Sequence, residues 1–424
     1  MNHASQPPFI RLAGILLVAL VPGLPLIAAP PSAPAAAVDF QFRDGDRVVL
    51  VGNTLVERAQ RYGHLETALI ARLADIRLTF RNLGWSGDTV RAESRGIFDP
   101  PARGYRRMLD HVARLRPTVL VLGYGGNESF EGQAGIQKFL NQYRKLIADL
   151  RSRSAPKARV VILSIPPQQR PGLRRLNTTV PVTSKFTRSD LDSPVERNRQ
   201  IGRYNSALAN FALSDGHAHL DLNAPFQKLW DKPRQQFRLL FTVDGRALNS
   251  EGYRVATCGV LAQLFPTSTL TVRLKQGEPP QVIGPLATSG AEFQKRRLTL
   301  SSRVGPFVLR VHGLRRKGRY TLRIDRDNFG DHTAKEFAAG IAPQLPQPAV
   351  GHADLRRAVI AKNRLYFHRW RPQNTTYLFG FRKHEQGNHA KEVAEFEKLV
   401  ASKEAEINRL KAKVLHRITI EPAR

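Results

Sequence analysis

Between residues 47 and 222 five short apolar runs alternate with amphipathic stretches of helical period, and few architectures accept that rhythm. The runs are RVVLV (47–51), RLTFRN (77–82), TVLVLG (118–123), RVVILSI (159–165) and AHLDL (218–222). Between them Leu55, Ala59, Tyr62, Leu65, Leu69 and Leu73 share one helical face, and Tyr105, Met108, Leu109, Val112 and Leu115 another. Ile136, Phe139, Leu140, Tyr143, Ile147 and Leu150, then Val195, Ile201, Tyr204, Leu208 and Phe211, mark two more. Continuous apolar strands separated by helices predict a parallel sheet covered on both faces, an α/β fold.

In such a sheet ligands bind beyond the carboxyl ends of the strands. That rule selects GNTL (52–55), NLGWSGDT (82–89) and GYGGNES (123–129), all rich in Gly and small polar residues. The stretch from Pro166 to Pro194, after the fourth strand, is long and rich in Arg and Pro, as functional or disordered segments are.

Together with DGRALNSEGY (244–253), these blocks fall in the order of the SGNH/GDSL hydrolases, which the chain resembles over about residues 45 to 260. The resemblance implies a three-layer α/β/α, flavodoxin-like sheet and esterase chemistry without a cofactor or metal. Carried over residue by residue, Thr54 stands at the nucleophile, Gly87 and Asn127 at the oxyanion hole, and Asp244 at the acid that orients the base. Two such donors stabilise the charge that develops on a carbonyl oxygen during ester cleavage. Asn53 replaces the usual Asp before the nucleophile, and Ala247 stands where the family has its His base. A threonine hydroxyl can attack a carbonyl, but it needs a base, and an alanine accepts no proton. His111, His217 and His219 read as ordinary surface or core histidines rather than a substitute.

Residues 12–29 are uncharged and mostly apolar, follow Arg11 and precede a run of Pro and Ala, the order of a secretory signal cleaved near residues 29–38. The expected destination is the periplasm or the exterior, with no integral membrane span after cleavage. A single cysteine, Cys258, excludes an internal disulfide framework and a Cys-based zinc site. The 66 Lys+Arg against 35 Asp+Glu give a formal net charge of +31, which is surface chemistry in a chain of this hydrophobic content.

After Cys258 the pattern changes. TLTVRL, RRLTLSS, FVLRVHG and GRYTLRID predict a small β module. A Pro-rich linker (342–348), a helix from about Ala353 to Arg364 and a closing amphipathic helix follow, with Val393, Phe396, Val400, Ile407, Leu410 and Val414 near heptad spacing. The block LYFHRWRPQNTTYLFGFRKHEQGNH (365–389) mixes aromatic and basic residues, and the same block occurs in a subgroup of exported SGNH-like proteins that the chain resembles. Its aromatics can fill a core, or alternating Arg and aromatic side chains can recognise sugars or carboxylates. Residues 1–38 therefore read as signal peptide and linker, 39–264 as the hydrolase-like domain, 265–340 as the β module, and 341–424 as linker, basic aromatic block and C-terminal helices.

Candidate substrate-binding residues are Asn53, Glu128, Arg371 and Asn374. Three functions follow from these features. The first is an exported hydrolase of acyl esters on carbohydrate. The second is a catalytically silent scaffold that binds a glycan or anionic polymer. The third is a basic protein held on an acidic cell-surface polymer. The charge is spread along the chain without a nucleic-acid motif, which argues against nucleic acid as the partner.

Overall fold

The computed structural model describes residues 40–169, 188–230, 241–343 and 351–423, apart from 98, 155, 266, 289, 304, 306, 373, 374 and 387–389. The segment expected to direct export, most of the Arg- and Pro-rich stretch after the fourth strand, and Asn374 lie outside the described residues.

The first half runs β1 (Asp46–Gly52), α1 (Thr54–Tyr62), α2 (His64–Arg72), β2 (Leu78–Asn82), α3 (Pro101–Leu115), β3 (Val119–Gly123), α4 (Ile136–Ser154), β4 (Arg159–Leu163), α5 (Arg188–Ser214), β5 (Ala218–Leu220), α6 (Ala224–Trp230) and α7 (Ser250–Leu264). The five strands form one parallel sheet in the order β2-β1-β3-β4-β5, with Val48 opposite Val119 and Leu120 opposite Val160. Val119, Leu120 and Leu122 are wholly buried because helices cover both faces. On one face Met108, Val112, Tyr143, Leu146, Tyr204 and Leu208 form the core, and on the other Leu69, Ile70, Phe226, Tyr253 and Val260. The expected three-layer α/β/α architecture is therefore present.

One helix of the sequence reading divides in two. The apolar face from Leu55 to Leu73 is periodic throughout, yet Gly63 adopts φ +64 and ends α1 by donating its N–H to Ala59. A Cβ at Gly63 would press on Val359 and Ile360 of a later helix, so the break makes room for that neighbour.

The β module comprises β6 (Ser268–Arg273), β7 (Gln281–Ile283), β8 (Glu292–Gln294), β9 (Arg297–Arg303), β10 (Phe307–His312), β11 (Arg319–Ile324) and β12 (Asp327–Thr333), closed by α8 (Ala334–Ala339). The chain then returns to the α/β domain with α9 (His352–Trp370), α10 (Thr375–Leu378), α11 (Lys383–Gln386) and α12 (Ala390–Lys411). α12 buries Val393, Val400 and Ile407 at seven-residue spacing and packs on α9. Lys362 of α9 is buried, bonds Glu66 of α2 at 2.6 Å and donates to the carbonyl of Phe80 in β2 at 3.0 Å.

The sequence reading ends in a helix; the structure adds β13 (Leu415–Pro422) after it. This strand enters the middle of the module's antiparallel sheet, whose order is β12-β11-β13-β9-β8. Ile418 and Ile420 are wholly buried there, and Ile418 pairs with Leu300 on one side and Ile324 on the other. Alternation over eight residues is a short signal beside a 22-residue helix, and its partners lie about a hundred positions away.

Candidate functional site

The carboxyl ends of β1, β3 and β4 and the turn before α7 enclose a cavity of about 300 Å³. Thr54, Arg58, Asn127, Phe130, Gln168, Asp244, Arg246 and Ala247 contribute to its wall. Glycines make this convergence possible. A Cβ at Gly52 would lie 2.4 Å from the carbonyl oxygen of Gly123, and one at Gly84 would lie 2.2 Å from the backbone N of Glu57. Only residues without a side chain let the strand ends and the start of α1 come so close.

Asn53 caps α1, its side-chain oxygen accepting the N–H of Leu55 at 3.0 Å. It also lines the cavity. The cap holds Thr54 at the first helical position, where the positive end of the helix dipole lies beside its hydroxyl. The N–H of Gly87 donates to Thr54 Oγ1 at 3.1 Å. Gly87 can do so because it sits at φ +78 in the turn after β2, with its carbonyl held by Ser94 Oγ at 3.0 Å. Asn127 Nδ2 donates to the carbonyl of Asp88 at 2.9 Å, which fixes the amide and leaves its second N–H for a ligand. Asp88 beneath it is wholly buried and pairs with Arg95 at 2.6 Å. Burial lifts its carboxyl above the ordinary range against the pull of Arg95.

Asp244 spends one carboxylate oxygen on its own turn, accepting the N–H groups of Arg246 at 2.9 Å and Ala247 at 2.8 Å. Partial burial raises its pKa, but these two donors and the charge of Arg58 outweigh it and the net shift is downward. The candidate nucleophile and the candidate orienting acid thus share one cavity, and no histidine is among its described lining. His64 lies behind α7, bonded to Ser250 Oγ at 3.0 Å. His111 stands edge-on to Trp370, and His217 against Phe211.

Other candidates have different surroundings. Glu128 is buried, with one oxygen accepting the N–H of Val90 at 2.8 Å and the other that of Gly125 at 2.9 Å. It braces the loops through these two bonds and is not among the residues that line the cavity. Arg371 lies outside the cavity too. Its guanidinium stacks on Trp85 at 3.5 Å and bonds Glu57 at 2.8 Å, and Glu57 accepts the N–H of Ser86 at 2.6 Å. It therefore acts on the loop that bears Gly87.

The sequence reading passed over Arg58, Arg246, Gln168 and Phe130. Arg58 was findable, because it stands four residues after Thr54 on the same helical face. Phe130 is exposed and carries Arg197 stacked at 3.5 Å, while Arg197 also bonds Gly126 and Ser129 of the β3 loop. That contact spans 67 positions and leaves no local trace.

Among the described residues no group of three or more His, Cys, Asp or Glu could hold a metal ion. No described helix is long and apolar enough to cross a membrane.

Residues 49–255 match the model of the GDSL-like Lipase/Acylhydrolase family. A GDSL esterase/lipase of Oryza sativa subsp. japonica is 24% identical over 205 residues, which is 44% of this chain and 72% of that protein. Among solved structures, a gut microbial diltiazem-metabolizing enzyme is 16% identical with a TM-score of 0.55, over 92% of this chain and 100% of that one. An acetylxylan esterase from Geobacillus stearothermophilus is 12% identical with a TM-score of 0.38, over 53% of this chain and 97% of its own. Over residues 49–255 the chain thus resembles the GDSL-like lipases and acylhydrolases in sequence, and it shares its overall fold with the diltiazem-metabolizing enzyme.

Proposed function

We propose that this protein is an exported ester hydrolase of the SGNH/GDSL type, acting on acyl esters of carbohydrates through Thr54. The observation that carries the reading is the Gly87 N–H at 3.1 Å from Thr54 Oγ1, in a cavity walled also by Asn127 and Asp244. Thr54 Oγ1 bonds to the acyl carbon while the Gly87 N–H and the free N–H of Asn127 receive the oxyanion. The ester C–O bond then breaks, and the alcohol leaves with the hydroxyl proton. Water cleaves the acyl-threonine, releasing the acid and restoring Thr54.

Ala247 sets the rate of this chemistry. With no imidazole among the described lining the hydroxyl proton is left to water or Asp244, and Asp244, held below the usual carboxylate range, is a weak base. Loss of the base normally removes several powers of ten in rate and leaves the oxyanion hole's share. A second reading, a silent scaffold that binds a glycan or an acidic polymer, draws its support from the same alanine and from the commitment of Asp244 to its turn.

Turnover of 4-nitrophenyl acetate by the wild type, Thr54→Ala and Ala247→His separates the two. Wild-type turnover that Thr54→Ala abolishes, with Ala247→His raising it at least about tenfold, supports the hydrolase. Turnover in none of the three sinks it and leaves the scaffold. Secretion of the full chain from a bacterial host, with loss of the segment before residue 39, tests export.

A further inference from the structure

Two guanidinium groups in the cavity wall have no task in the chemistry above. Arg58 projects from α1 one turn beyond Thr54, and Arg246 from the turn before α7. Neither donates a side-chain hydrogen bond or forms an ion pair among the described residues. Asp244 is the other charged residue among the described lining, so two described cations face one carboxylate. That carboxylate accepts two backbone N–H groups on one oxygen, and among the described residues neither arginine forms an ion pair with it. Arg197, close behind, adds a third positive charge, which Arg246 disfavours, and it bonds Gly126 and Ser129.

Arg58 is half-buried and Arg246 exposed, whereas several buried or half-buried arginines of the domain hold carboxylates. Arg95 pairs with Asp88, Arg81 with Glu404 and Arg371 with Glu57. Arg58 and Arg246 hold no such partner among the described residues and border one small cavity, and planar forks match carboxylate or phosphate oxygens bidentately.

We infer that the molecule received by this cavity bears an oxyanionic group, a carboxylate or a phosphate, beside its ester, and that Arg58 and Arg246 clamp it. The inference rests on the ester-hydrolase reading for the presence of the ester; the anion clamp is measurable without turnover. Arg58 stands one helical turn from Thr54, so the anionic group lies a few bonds from the scissile carbonyl. Gln168 and Phe130 offer the remaining bonds and an apolar edge for the body of the molecule. An acylated acidic sugar has this arrangement, and so does an acylated sugar phosphate.

Titration calorimetry on the full chain with benzoate, phenyl phosphate and neutral benzamide tests the clamp. Either anion is expected to bind at least about tenfold tighter than benzamide, and Arg58→Gln and Arg246→Gln each to weaken the anion about tenfold with benzamide unchanged. The tighter of the two anions identifies the group. Equal affinity for anion and amide, no binding of either anion up to about 10 mM, or indifference of the anion to both substitutions would overturn the inference. Both variants must unfold at the wild-type midpoint; if Arg58→Gln does not, Arg58→Lys, which keeps the charge and loses the fork, replaces it. Hydrolysis of 2-acetoxybenzoate against its neutral methyl ester then joins clamp to chemistry. Anion binding without hydrolysis of either ester would leave the clamp standing and remove the hydrolase reading beneath it.

Discussion

Arg371 sits over Trp85, its guanidinium carbon 3.5 Å from the ring centroid, while the same group bonds Glu57 at 2.8 Å. Glu57 in turn accepts the N–H of Ser86, the residue before Gly87. A side chain from the far end of α9 thereby positions the turn that presents a donor to Thr54.

Removing that brace is expected to loosen the donor rather than the fold. Arg371→Ala should lower kcat for ester cleavage about tenfold while KM changes little, because Gly87 acts in the transition state. Arg371→Lys restores the charge next to Glu57 but not the stacking, so it should recover part of the loss. Steady-state kinetics with a thermal melt checks this; a fall in melting temperature that accounts for all the lost activity would refute a positioning role.

Gly84 faces the backbone of α1 with no room for a methyl group. Gly84→Ala should cost about 1–3 kcal/mol or more, since neither Glu57 nor Val56 can retreat without shifting the helix. Gly132, at φ +64 with open space around it, supplies the contrast: Gly132→Ala should cost only about 1 kcal/mol, from backbone strain alone. Urea denaturation of the two variants measures the difference.

The pair Lys362–Glu66 fastens α9 onto α2 and β2 in a buried setting, with Asn363 also donating to Glu66 at 2.9 Å. Lys362→Ala leaves that carboxylate without its cation and should destabilise the protein by about 3–5 kcal/mol. Lys362→Met combined with Glu66→Gln should recover most of this, because apolar packing replaces the ammonium and Asn363 keeps a partner. Equal losses in the single and double variants, read from denaturation midpoints, would contradict the account.

Acid should weaken the fold well above the carboxylate range. His64, His111 and His352 are each pushed down to about 4 from an ordinary value near 6.5, by burial first and then by neighbouring arginines such as Arg356 for His64 and His352 and Arg114 for His111. A depressed histidine binds fewer protons folded than unfolded, so its contribution is intact above about pH 6.5 and declines as pH falls towards 4. His64→Gln keeps the bond to Ser250 without a titrating group and should flatten that decline. Melting temperatures at half-unit steps between about pH 7 and 4 supply the check.

The sheet was legible because each parallel strand writes its burial into a continuous apolar run: all five expected runs overlap β1 to β5. The blocks around Thr54, Gly87, Asn127 and Asp244 were legible for a related reason, since each follows a strand end or precedes a helix and uses Gly and small polar residues to turn there. What stayed hidden depends on distant partners. Gly63 looks like one more residue of a periodic helix until α9 arrives against it. Glu128 looks like a polar loop residue until the N–H groups of Val90 and Gly125 close on its carboxylate. Arg371 sits in a block that suits either core or ligand, and only its stacking on Trp85 gives it a task.

β13 has a consequence for the order in which the protein can be made. β9 and β11 are both its partners, and neither touches the other, so each waits with an open edge while about a hundred further residues leave the ribosome. The α/β domain can mature during that interval. The β module cannot close until residues 415–422 have emerged, and then by insertion between two preformed strands rather than growth at a rim. Its assembly is therefore a late event in biosynthesis, and chains arrested before residue 415 should be the ones that chaperones retain.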